Sequence, residues 1–208
     1  DVTAIVGPNG CGKTTLLELV AGLRPPDSGT TTRPTDAERS VAYLPQSPRF
    51  RPAFTARETV AFYGDLVAAD VDPPALLEQV GLGDAADRRV DALSGGMTRL
   101  LGLAQALVGD PPVVVLDEPT SGLDPDIAER IFDVVVDLAA ADRAVLVASH
   151  DLPNVEDHAD RVLLLADGTF RLDGSPAAIR ESTDAGSLRA AFSKRVRETA
   201  AARVEVGE

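Results

Sequence analysis

Three observations predict an α/β fold, in which a mostly parallel sheet core is flanked by helices and interrupted by a helical subdomain. Short β-branched runs alternate with helical patterns, as βα units require. From Ala53 to about Ala92 the pattern turns helical without a strand between. No repeat with a period of about 20–50 residues is present, which excludes a solenoid or propeller.

In chain order, Val2-Thr3-Ala4-Ile5-Val6 reads as a buried strand, followed by a glycine-rich turn and a helix from about Lys13 to Ala21. The cluster Arg24-Pro25-Pro26-Asp27-Ser28-Gly29 stops that helix, and Ser40 to Leu44 is a short strand. Two helical segments follow. Thr59, Val60, Phe62, Tyr63 and Leu66 mark the first, and Leu76, Leu77 and Val80 the second. A third helix is expected from about Ser94 to Val108, then a buried strand at Val113-Val114-Val115-Leu116. A helix follows Pro125, and Ala144 to Ala148 is the next strand. Arg161 to Leu165, the turn Asp167-Gly168 and Thr169 to Leu172 read as a hairpin. After Ala185 the spacing of Leu188, Ala191, Phe192 and Val196 gives one face of a helix.

The 208 residues suit one domain, since about 100–200 residues make one. Its expected division is a sheet core at 1–52 and 110–183, a helical subdomain at 53–109, and a C-terminal helix and tail at 184–208. With 44% hydrophobic and 25% charged residues, the composition is globular rather than disordered. Apolar runs such as Val113 to Leu116 fall far short of the about 20 residues a spanning helix needs. No secretory pattern stands at the start, so a cytosolic location is expected. The single Cys11 excludes an internal disulfide and a cysteine-built zinc site. A net charge of −13 argues against a nucleic-acid partner. Only Lys13 and Lys194 are lysines, and the acidic, lysine-poor balance suits a protein working in high salt; GC-rich codon bias is the alternative.

The chemistry begins at Gly7-Pro8-Asn9-Gly10-Cys11-Gly12-Lys13-Thr14, which matches the phosphate-loop pattern between a strand and a helix. Glycines let the backbone N–H groups turn inward toward phosphate oxygens, and the following helix adds its positive end. Lys13 is expected at the β and γ phosphates and the Thr14 hydroxyl at Mg²⁺. Cys11 reads as filler in a tight turn rather than as a reactive thiol. Downstream, the apolar strand ends in Asp117-Glu118-Pro119. Asp117 is expected in the magnesium shell and Glu118 at an attacking water.

With Leu93-Ser94-Gly95-Gly96-Met97 and Ser121-Gly122-Leu123-Asp124 added, the chain resembles the ATP-binding subunits of ABC transporters, a branch of the P-loop NTPases. Gln46, in Tyr43-Leu44-Pro45-Gln46, falls at the family's glutamine loop, and His150, in Ser149-His150-Asp151, at its switch histidine. The five motifs run in the family's order from Ile5 to Asp151. The resemblance implies ATP hydrolysis with Mg²⁺, the loop residues through Thr15 cradling the nucleotide. It implies that Gln46 touches Mg²⁺ and the attacking water and that His150 touches the γ-phosphate. It also implies a head-to-tail dimer, homomeric or heteromeric, in which Ser94, Gly95 and Gly96 close over the partner's ATP and Asp124 meets the partner. The implied setting is the inner face of the membrane, on a separate membrane-spanning permease subunit.

Met97 stands where the signature usually has Gln, as in the exporter branch, while Leu100 stands where that branch usually has Arg. Export is therefore the expected direction; a non-transport ABC ATPase of DNA repair or translation is the rival reading. The family's two strands and adenine-stacking aromatic ahead of the phosphate loop find no counterpart, so an N-terminally truncated chain is expected. His158 is read as a surface residue.

Overall fold

The computed structural model describes residues 1–34 and 39–206, with side chains through 197. Among the described residues six strands form one sheet: β1 (Val2–Val6), β2 (Val41–Leu44), β3 (Val113–Asp117), β4 (Ala144–Ala148), β5 (Arg161–Ala166) and β6 (Thr169–Gly174). Their order is β2-β3-β4-β1-β5-β6, parallel except for the β5–β6 hairpin. The α/β expectation and the hairpin both hold. Near-continuous Val, Leu, Ile and Ala runs suit strands covered on both faces.

The helices are α1 (Lys13–Ala21), α2 (Ala56–Leu66), α3 (Pro73–Gln79), α4 (Gly95–Leu107), α5 (Pro125–Ala140), α6 (Leu152–His158), α7 (Pro176–Thr183) and α8 (Leu188–Val206). α1 covers one face of the sheet, where Leu17 packs on Ile5, Val115 and Ala148. Alternation of side chains along the strands sends Ala4, Val114, Leu116 and Val147 to the other face, into a core shared with Phe132 and Val135 of α5. That core continues into α2, α3 and α4, which occupy the chain between β2 and β3 together with two single 3₁₀ turns.

Local chemistry sets the helix ends. α2 opens on a capping box, with Glu58 N donating to Thr55 Oγ1 at 3.1 Å and Thr55 N donating to the Glu58 carboxylate at 2.8 Å. Asp72, Ser94 and Ser175 cap α3, α4 and α7 through their side chains.

The buried face of α2 is Ala56, Thr59, Val60 and Gly64, and Leu66, its last residue, is 66% exposed. His158 is half-buried rather than a surface residue: its Nδ1 bonds the Asn154 carbonyl at 2.9 Å and its ring stacks at 5.5 Å from Phe132. Among the described residues no helix is long and apolar enough to cross a membrane.

Candidate active site

The register of the sheet brings the chemistry to one level. Ile5 of β1 and Asp117 of β3 both pair with Ala148 of β4, so three chain segments leave the sheet together at its carboxyl edge. Main-chain bonds pin two of them, Glu118 N to Ala148 O at 2.9 Å and Ser149 N to Ile5 O at 3.1 Å. β2, beside β3, adds the segment carrying Gln46. Ligands of open α/β sheets bind at this edge.

The turn after β1 is shaped by glycine. A Cβ on Gly7 would stand 2.2 Å from the Leu165 carbonyl oxygen, so the backbone of β5 leaves no room for one. Gly12 takes φ +105° at the entrance of α1. No side chain caps that helix and no acid lies in its first turn. Its N–H groups and dipole are therefore left for an anion. Lys13 is buried, with Nζ donating to Gly7 O at 2.9 Å and to Pro8 O at 3.4 Å. The same ammonium stands 3.7 Å from Glu118 Oε1.

Glu118 is the focus of the site. It lies just beyond β3 with φ +49°, a left-handed conformation that costs an L-residue about 1–2 kcal/mol. This turn lifts its side chain out of the strand alternation that would oppose it to Asp117. The carboxylate is buried, and its Oε2 lies 2.6 Å from His150 Nδ1 and 3.3 Å from the His150 main-chain N, which donates to it. With Glu118 ionised, Nδ1–H is the donor. The site thus links three residues contributed by three strands: Lys13, Glu118 and His150.

Asp117 sits behind this group at 2% exposure. Its Oδ2 accepts from the Tyr43 hydroxyl at 3.3 Å, and its Oδ1 has no partner among the described residues. Burial, then the negative charges of Asp117 and Glu18 and the hydrogen bond to Asp117, push the Tyr43 phenol above its ordinary pKa.

A cleft of about 440 Å³ unites most of the residues singled out by sequence: Asn9, Gly10, Gly12, Lys13, Thr14, Thr15, Gln46, Glu118 and His150, with Ser121. Gly7, Pro8, Cys11 and Asp117 do not line it; Gly7 shapes the turn and Asp117 is buried beneath. Ser94, Gly95, Gly96 and Asp124 do not line it either; Ser94, Gly95 and Asp124 are exposed, while Gly96 is covered by Ile127. Sequence reasoning missed Ser121 as a site residue, although it begins the quoted Ser121-Asp124 segment. Gln46 Nε2 donates to its Oγ at 3.5 Å.

Known proteins share this fold. The family model described as ABC transporter matches residues 1–121. The Nod factor export ATP-binding protein I of Burkholderia lata is 38% identical over 86% of this chain. The alignment spans 63% of that relative's own length. A nucleotide-free ATP-binding cassette from an ABC transporter superposes with a TM-score of 0.76 at 25% identity, covering 89% of this chain and 85% of that one. The ADP conformation of another such cassette gives 0.75 at 25% identity, over 88% and 83%. The match of the family model over residues 1–121, more than half of the sequence, together with the 38% identity to the Burkholderia protein, places the chain in the ABC transporter family.

Proposed function

We propose that this chain is the ATP-binding and ATP-hydrolysing subunit of an ABC transporter, working in export through a separate membrane-spanning permease. The observation that carries the reading is the convergence of Lys13, Gln46, Glu118 and His150, from four separate chain segments, on one cleft. Lys13 and the N-terminus of α1 receive the phosphates; Glu118 takes the proton of the attacking water. The left-handed turn at 118 and the bond from His150 hold that carboxylate in place.

The donor set fits a magnesium ion: Asp117 Oδ1 is a buried carboxylate oxygen with no partner among the described residues, and Thr14 presents an exposed hydroxyl in the cleft. Thr14, Asp117 and Gln46 would hold it. When bound, it supplies positive charge to the phosphate oxygens as negative charge develops there.

Ser94 caps α4, Gly95 and Gly96 open it, and none of the three lines the cleft of their own subunit, which supports a head-to-tail dimer with two nucleotides between the copies. Asp124, exposed at the start of α5, meets the partner across the seam. The name of the Burkholderia relative supports export, and with it a location on the inner membrane face beside the permease. Residues 53–109 act as the helical subdomain of the cassette, between the sheet segments 1–52 and 110–183. We read the −13 charge as adaptation to high salt.

The test is assembly. Glu118→Gln protein should convert from monomer to dimer on a sizing column when ATP and magnesium are added. A monomer at saturating ATP would count against the two-site sandwich.

A further inference from the structure

Arg99 lies in the second turn of α4 and is only 8% exposed. Its Nη1 donates to the main-chain carbonyl of Gln46 and, at 3.5 Å, to that of Pro45. Burial pushes the guanidinium below its ordinary pKa. A guanidinium withdrawn from water is costly, and here it is spent on two carbonyls of an exposed segment rather than on a carboxylate. Such bonds fix the path of a loop.

A second contact makes the same connection. Gly102 is three residues on from Arg99, on the same helical face. A Cβ there would stand 2.6 Å from Leu44 Cδ1 and 3.2 Å from Pro48 Cγ. One face of α4 therefore holds the chain on either side of Gln46, at Leu44 and Pro48, and by the Gln46 carbonyl itself. The start of that helix carries Ser94, Gly95 and Gly96, while Gln46 lines the cleft of Lys13 and Glu118.

We propose that Arg99 is a positioning residue that makes Gln46 move with α4, so that the two nucleotide sites of the dimer sense each other. This rests on the dimer reading above. The start of α4 serves the nucleotide on the partner subunit's loop, and Gln46 serves its own. A shift of α4 on closing against the partner is then passed to the Gln46 segment by its packing at Gly102 and to the Gln46 carbonyl itself by Arg99.

The experiment compares the unaltered chain with Arg99→Met, which keeps an apolar stem without donors, and Arg99→Lys, which keeps one cationic donor. Phosphate release is followed against ATP concentration, alongside nucleotide binding by equilibrium dialysis and thermal melting. Arg99→Met should lose about tenfold in kcat, since a charge-assisted hydrogen bond is lost, with binding affinity kept within about twofold. Its ATP dependence should turn from sigmoidal to hyperbolic, and Arg99→Lys should recover part of both. Sigmoidal turnover at the unaltered kcat in Arg99→Met would overturn the link. So would a loss of kcat accompanied by an equal loss of melting temperature and nucleotide affinity, or, if Arg99→Met does not fold, unaltered kcat and cooperativity in a folded Arg99→Lys. Hyperbolic turnover in the unaltered chain, with no ATP-driven dimer, would instead overturn the two-site reading itself.

Discussion

Nδ1 of His150 lies 2.6 Å from Oε2 of Glu118, although 32 positions separate them in the chain. On the function proposed above, the pair should behave as one unit, the carboxylate that would activate water being held by the imidazole against it. Glu118→Gln should still bind ATP yet lose at least about 100-fold in turnover, in line with loss of a general base. His150→Ala should also fall steeply, and the double variant should lose little more than the worse single one. Additive losses in phosphate release would show that the two act independently.

Lys13 should fail earlier in the cycle. Its ammonium is buried between the Gly7 carbonyl and Glu118, so Lys13→Ala removes the charge proposed to meet the phosphates. Equilibrium dialysis should register the defect as lost ATP binding rather than slow turnover; retained affinity would assign the phosphate contact elsewhere.

Gly7→Ala should destabilise the fold itself. The added methyl would overlap the backbone of β5, and overpacking of this kind costs about 1–3 kcal/mol. Urea unfolding should show a lower midpoint, and an unchanged midpoint would mean that β1 and β5 can part to admit it.

Tyr43 sets an alkaline limit. Its phenol titrates higher in the fold than in the unfolded chain, where the value is near 10. The folded state then holds the proton that the unfolded state releases, so this contribution is complete below about pH 10 and is lost as pH rises toward the folded value. Melting temperature should drop above about pH 10, and the drop should be shallower in Tyr43→Phe. Parallel curves for the two proteins would dissociate Tyr43 from the effect.

The −13 charge makes a prediction about solvent. Self-repulsion is screened by salt, so melting temperature should climb between about 0.1 and 2 M KCl. A flat series would return the lysine-poor composition to codon bias.

The elements of the sheet were legible because their signals are local. A β-branched run, a glycine turn and a helix start are adjacent in sequence from Val2 to Ala21, and so are the two strands of the β5–β6 hairpin. The cleft residues were legible for a related reason, since each lies at the end of a recognisable strand or in a quoted motif. Pairings across the fold were not. Which carbonyls Arg99 would reach, that Tyr43 would meet Asp117, and that Leu165 would crowd Gly7 all depend on strand order β2-β3-β4-β1-β5, which no local pattern encodes. His158 was misplaced because helical periodicity does not say what stacks on a helix's last turn.

The left-handed backbone at Glu118 also bears on how this protein would respond to breeding for heat resistance. Glycine or asparagine accepts φ +49° at little or no cost, and Lys13 would keep its carbonyl partners Gly7 and Pro8 if the carboxylate were gone. A screen that rewards survival at high temperature and ignores turnover should therefore discard Glu118 among its first choices. The acid persists only where the work it does is also counted.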